Sequence, residues 1–126
     1  MRKTINLVAA ATLLLLSMSA SADVAQVWQC EFAEGKTNDD LIALSNSWLA
    51  AAREIDDSAS GRLYFPVAGD SKEGSFIFVF YLPDFTSWGE FLDAYAGSPV
   101  EEIDAVWNET APCEDVSELW DVVDLE

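Results

Sequence analysis

The chain has 126 residues, and 23 acidic against six basic side chains give it a formal charge of -17 with no histidine at all. That much negative charge repels nucleic acid and anionic lipid headgroups, and the missing histidine excludes Ser-His-Asp and Cys-His nucleophiles together with His-ligated zinc. A hydrophobic content of 51% argues for a folded core and against disorder.

Residues 1–22 carry the three parts of a secretory signal peptide. Arg2 and Lys3 are basic, an apolar run extends from Leu7 to Leu16, and the small residues Ala20 and Ala22 precede a cleavage point. The apolar run is too short to span a bilayer. The expectation is a periplasmic or secreted protein, one domain over residues 23–126, with no membrane attachment after cleavage. That segment keeps Lys36, Arg53, Arg62 and Lys72 against all 23 acids, a formal charge of -19. Such acidity suits a cationic partner or divalent cations, and equally a surface kept soluble in a salty medium. In an oxidising compartment Cys30 and Cys113 are expected to form one disulfide, since no cysteine is left over and no Cys-x-x-Cys spacing marks a redox pair.

Residues 24–32 mix Val, Trp and Phe with interleaved Gln26, Gln29 and Glu31 and read as a strand. After Gly35-Lys36, Thr37 with Asp40 three residues on resembles a capping box. Leu41, Leu44, Trp48, Ala51 and Ile55 then recur at helical spacing, predicting a helix over 38–55. The turn cluster 56–61 leads to a short edge strand over 63–67, limited by Pro66. Residues 76–82 are apolar on both parities, unlike a strand with one wet face, so both faces of this strand are expected to be covered. Ser87-Trp88-Gly89-Glu90 offers a capping box for a second helix that Gly97 closes, and Ser98, Pro99 and Glu101 open a third with Val100, Ile103 and Val106 or Trp107 inside. Residues 116–125 read as a last strand, with a short helix over 115–120 as the competing pattern.

This order is an α+β, ferredoxin-like βαββαβ plan with one extra helix and an antiparallel sheet, in which the first and last strands lie side by side. Cys30 and the approach to the last strand at Cys113 then fall close together. Three helices cover one face of such a sheet, so the two-sided apolar strand predicts a homodimer.

The topology, the apolar strand 76–82 and the run Pro83-Asp84-Phe85-Thr86-Ser87-Trp88-Gly89 leading into a helix resemble the dimeric α/β barrel superfamily, which includes antibiotic-biosynthesis-monooxygenase-like and NIPSNAP-like domains. The resemblance covers most of residues 24–125. It implies two sheets paired into a barrel, and a cavity between sheet and helices that in some members holds an aromatic substrate or haem. The chain departs from that pattern in having no histidine, which disfavours haem held by a histidine, and in carrying a signal peptide. No cofactor is implied.

Without histidine, and with both thiols paired, acid–base chemistry would fall to carboxylates or tyrosines. The candidates are Asp84, Tyr81, Tyr95 and Glu31, with a helix cap and a solvated strand end as the simpler roles of Asp84 and Glu31. Trp88, Tyr95 and Trp107 lie around the second and third helices, where the resemblance places a cavity, and are candidates to line a pocket for a small hydrophobic ligand; ordinary core packing is the alternative. Asp56, Ser58 and Ser60 with Gly61 follow the opening of an EF-hand loop, but Val67 stands where its bidentate glutamate belongs, so a polar turn competes with cation binding. The expected function is that of a non-enzymatic ligand-binding or interaction module. The alternatives are a cofactor-independent oxygenase-like enzyme acting on an aromatic substrate and a divalent-cation-binding protein.

Overall fold

The computed structural model describes residues 23–126; the expected signal peptide over 1–22 lies outside the described residues. In chain order the elements are β1 (Asp23–Glu31), α1 (Asn38–Ile55), β2 (Ser60–Tyr64), β3 (Ser75–Leu82), α2 (Phe85–Tyr95), α3 (Pro99–Thr110) and β4 (Glu118–Val122). The sheet order is β2-β3-β1-β4 with every neighbouring pair antiparallel. This is the ferredoxin-like plan with one added helix.

Local chemistry explains most boundaries. The Thr37 hydroxyl accepts from the Asp40 amide while the Asp40 carboxylate accepts from the Thr37 amide, a closed capping box that starts α1. α2 begins at Phe85, capped by Asp84, whose carboxylate accepts from the Ser87 amide at 2.7 Å. The Ser87 box expected from the sequence therefore sits inside the first turn, because an aspartate three residues earlier reaches the same amide. Gly97, at φ 77°, turns the chain out of α2 in a conformation costly for other residues. At α3 the Ser98 hydroxyl makes no cap bond, and Glu101 instead accepts from the Gly97 amide at 2.5 Å.

β2 comes earlier than the expected 63–67, because the turn cluster ends at Ala59 and the ladder with β3 begins at once with Ser60 opposite Tyr81. Pro66, with no amide proton, falls beyond the strand. Gly61 has a packing role there. A Cβ at that position would lie 3.3 Å from the Phe78 ring. The final segment is a strand; its Asp23–Val27 partners on β1 draw it into the sheet and end the competition with a helix.

All three helices pack on one face. Leu41, Trp48 and Ala52 of α1, Phe91 of α2 and Val100 and Trp107 of α3 share one core with Cys30, Phe76, Phe78, Phe80 and Leu82 of the sheet. The Cys30–Cys113 disulfide joins the end of β1 to the approach to β4. Flanking backbone bonds, Glu31 amide to Pro112 carbonyl and Glu114 amide to Gln29 carbonyl, continue the pairing there. A link across 83 positions removes unfolded-state entropy worth about 4.5 kcal/mol on the chain-entropy account.

Among the described residues, no helix lies over the opposite face. Strand alternation places Ala25, Val27, Ile77, Val79 and Tyr81 there, with Arg62 and Tyr64 from β2 and Trp120 from β4. Ala25 and Val79 are buried by their own neighbours, while Ile77, Tyr64 and Trp120 are exposed. The expectation that β3 is covered on both sides is met on its even-numbered face and only at Val79 on the other. Among the described residues, no helix is long and apolar enough to cross a membrane.

Candidate functional site

Between the sheet and the helices lies a cavity of about 400 Å³. Gln26 and Trp28 of β1 and Phe78 of β3 form its floor. Trp48 comes from α1, Phe91 and Tyr95 from α2, Asp104, Trp107 and Asn108 from α3, and Glu114 and Asp115 from the segment after the disulfide. The aromatic wall is continuous. Phe78 stacks on Trp28 at 5.5 Å between ring centroids, lies 4.9 Å from Trp107 and meets the edge of Trp48 at 5.3 Å. Offset and edge contacts of this kind hold large rings in fixed orientations.

One carboxylate is set into that wall. Asp104 follows Val100 by one helical turn and precedes Trp107 by three residues, so it shares the inward stripe of α3 with both. The Trp48 indole N–H donates to Asp104 Oδ1 at 2.6 Å, and the Tyr95 hydroxyl donates to Oδ2. Burial pushes the Asp104 carboxyl above the ordinary carboxylate range; the Tyr95 and Trp48 hydrogen bonds pull the other way, and the Glu101 charge adds to the rise. Burial, the bond to Asp104 and its charge push the Tyr95 hydroxyl well above the usual tyrosine range, so it stays protonated and keeps donating. Asp104 was not among the sequence candidates. Its signal was an acid interrupting an apolar stripe between Val100 and Trp107, a position where a solvated carboxylate has no place.

The sequence candidates are dispersed. Tyr95 and Trp107 enter the cavity together, while Trp88 stands beside it and donates its indole N–H to Gln26 Oε1 at 3.2 Å, fixing an amide that lines the cavity. Tyr81 lies on the open face, its hydroxyl 3.1 Å from that of Tyr64 and its ring 5.7 Å from the Arg62 guanidinium carbon. Burial and the Tyr64 contact push the Tyr81 hydroxyl up to about 12, whereas the bond shared with Tyr81 and the Arg62 guanidinium lower Tyr64. Glu31 is exposed and paired with Lys72 Nζ at 2.8 Å. Asp84 caps α2 in solvent, its carboxyl held below the ordinary range by the Ser87 amide. The Asp56 carboxylate accepts from the Ser58 amide at 3.0 Å and from the Ser58 hydroxyl, and Ser60 already belongs to β2. This is the geometry of a polar turn.

No protein-family model matches this sequence, and no curated protein matches it. Solved structures do share its fold. A candidate antibiotic biosynthesis monooxygenase from Chloroflexus aurantiacus superposes with a TM-score of 0.55 at 14% identity, over 83% of this chain and 97% of that one. A NIPSNAP family protein of unknown function from Agrobacterium tumefaciens gives 0.56 at 8% identity, over 82% and 89%. A conserved protein of unknown function from Bacteroides thetaiotaomicron gives 0.55 at 10% identity, over 82% and 100%. The resemblance read from the sequence holds as a likeness of fold.

Proposed function

We propose that this chain is an exported, non-enzymatic module that binds a small apolar or aromatic ligand in the helix-side cavity and pairs with a second copy through its open sheet face. The aromatic cavity carries the reading. Its size falls in the range of small-molecule sites, and it combines an apolar wall with a few fixed polar groups, Gln26, Tyr95 and Asp104. A disulfide suits an oxidising compartment. Pairing would cover the exposed Ile77, Tyr64 and Trp120, as the barrels that this fold resembles cover theirs.

Titration of the disulfide-intact protein with indole, a neutral aromatic probe, followed by calorimetry tests the cavity. One indole per chain is expected to bind. Asn108→Trp, which fills the cavity from an exposed position on α3, should abolish that binding while leaving the melting temperature within a few degrees. Absence of saturable binding at millimolar indole would overturn the reading.

Asp104 favours a second reading, catalysis on an aromatic substrate, because a half-buried carboxyl with a raised proton affinity is a competent general base. Against this, both of its oxygens already accept hydrogen bonds, from the Trp48 indole and the Tyr95 hydroxyl. Binding is the reading we retain.

A further inference from the structure

We propose that the ligand of the helix-side cavity is an organic cation, an apolar body bearing a quaternary ammonium or protonated amine. The inference rests on the ligand-binding reading above and narrows its chemistry. Two independent features of the lining converge on it.

The first is the π surface. Trp28, Trp48, Tyr95 and Trp107 line a single small cavity with Phe78. Aromatic rings attract cations through their quadrupoles, tryptophan most strongly, and the attraction grows when the site is shielded from water. The second is the sign of the charges. Every ionisable carboxyl of the lining is anionic when charged, Asp104 in the wall and Glu114 and Asp115 nearby, and none of the lining residues is lysine or arginine. The four basic side chains of residues 23–126 are engaged or placed elsewhere. Arg62 lies over Tyr81 on the open face, Lys72 holds Glu31, Arg53 donates to the Ala59 carbonyl, and Lys36 precedes α1.

Asp104 discriminates among ligand classes. Its carboxylate is held by two donors in an apolar wall and, among the described residues, has no cationic partner. A neutral ligand that displaces water from the cavity removes more solvation from that charge, and an anion adds repulsion to the same loss. A cation returns what desolvation takes away. Aromatic surface alone would accept any flat apolar molecule; aromatic surface around an unpaired carboxylate prefers one with a positive charge.

The test compares choline with 3,3-dimethylbutan-1-ol, which has the same shape with carbon in place of the charged nitrogen, by calorimetry on the disulfide-intact protein alongside indole. Choline is expected to bind at least tenfold more tightly than its neutral isostere. Asp104→Asn should bring the two within about twofold, although it changes only one of many surface and cavity charges. If Asp104→Asn does not fold, Glu114→Gln combined with Asp115→Asn, both at exposed positions, should narrow the preference severalfold. Equal binding of the two probes, or a preference untouched by these substitutions, overturns the cation assignment. Indole binding with no preference for choline would leave the ligand-binding reading standing; loss of all three titrations would remove both.

Discussion

The two faces of one sheet are built to different degrees of completeness. On β3, Phe78 and its neighbour Ile77 are adjacent in sequence and point to opposite sides. Phe78 is 5% exposed beneath three helices, Ile77 is 38% exposed on a bare surface. The covered face solves its packing within one chain, down to Gly61, where a Cβ would press on the Phe78 ring. The open face buries Val79 and Ala25 with its own tyrosines and tryptophan and leaves a rim of apolar and hydroxyl groups. One face is a finished core with a half-open cavity beside it. The other has the composition of an interface, with aromatic and aliphatic residues around the Arg62–Tyr81 contact.

Matched substitutions on the two faces should separate these roles. Phe78→Ala is expected to cost about 3–5 kcal/mol, the range for deleting a buried aromatic, because it removes ring contacts to Trp28, Trp48 and Trp107 and opens the cavity wall. Urea unfolding measures this, and a cost under about 1 kcal/mol would mean that the covered face is not the core. Ile77→Lys, one residue away, should leave the unfolding of the isolated chain within about 0.5 kcal/mol. Its effect belongs to association: sedimentation at micromolar concentration should show the wild type as a dimer and Ile77→Lys shifted at least tenfold toward monomer. A wild-type chain that sediments as a monomer throughout would leave the open face an ordinary solvated surface.

The division between what the sequence disclosed and what it hid follows the same two faces. Elements with strong periodicity or a cap signature, β1, α1 and β3, were legible almost to the residue, and the cysteine pair followed from count and compartment. β2 slipped because glycine and serine read as turn, whereas packing against Phe78 makes Gly61 a strand residue. The start of α2 is ambiguous in the sequence because two overlapping caps, Asp84 and Ser87, compete there and only geometry decides between them. The cavity was half legible. Tyr95 and Trp107 announce themselves as aromatics, but Asp104 resembles any helix-surface acid until the indole of Trp48, 56 positions earlier, is seen to donate to it. Long-range partners of polar groups leave no local pattern.

The smallest expected effect is also the most specific to the covered face. Because burial raises the Asp104 carboxyl above its ordinary 3.8, the folded chain holds a proton that the unfolded chain has released over the interval from 3.8 up to the folded value. Stability linked to this group is therefore full at low pH, falls as pH rises through that interval, and is flat above it. The groups facing Asp104 are Trp48 from α1 and Tyr95 from α2, which stay protonated there, and Glu101 on α3, whose charge widens the interval without reversing its sign. Asp40 and Asp84 slope the other way at lower pH, since their folded carboxyls are held below the ordinary range. Subtracting the melting curve of Asp104→Asn from that of the wild type removes their contribution, and the difference should decline as pH rises above the ordinary carboxylate value. A flat difference would show that the carboxylate is solvated after all. Saturating choline, if the cation assignment holds, should flatten the wild-type slope, because a positive charge beside Asp104 favours the ionised form that burial disfavours.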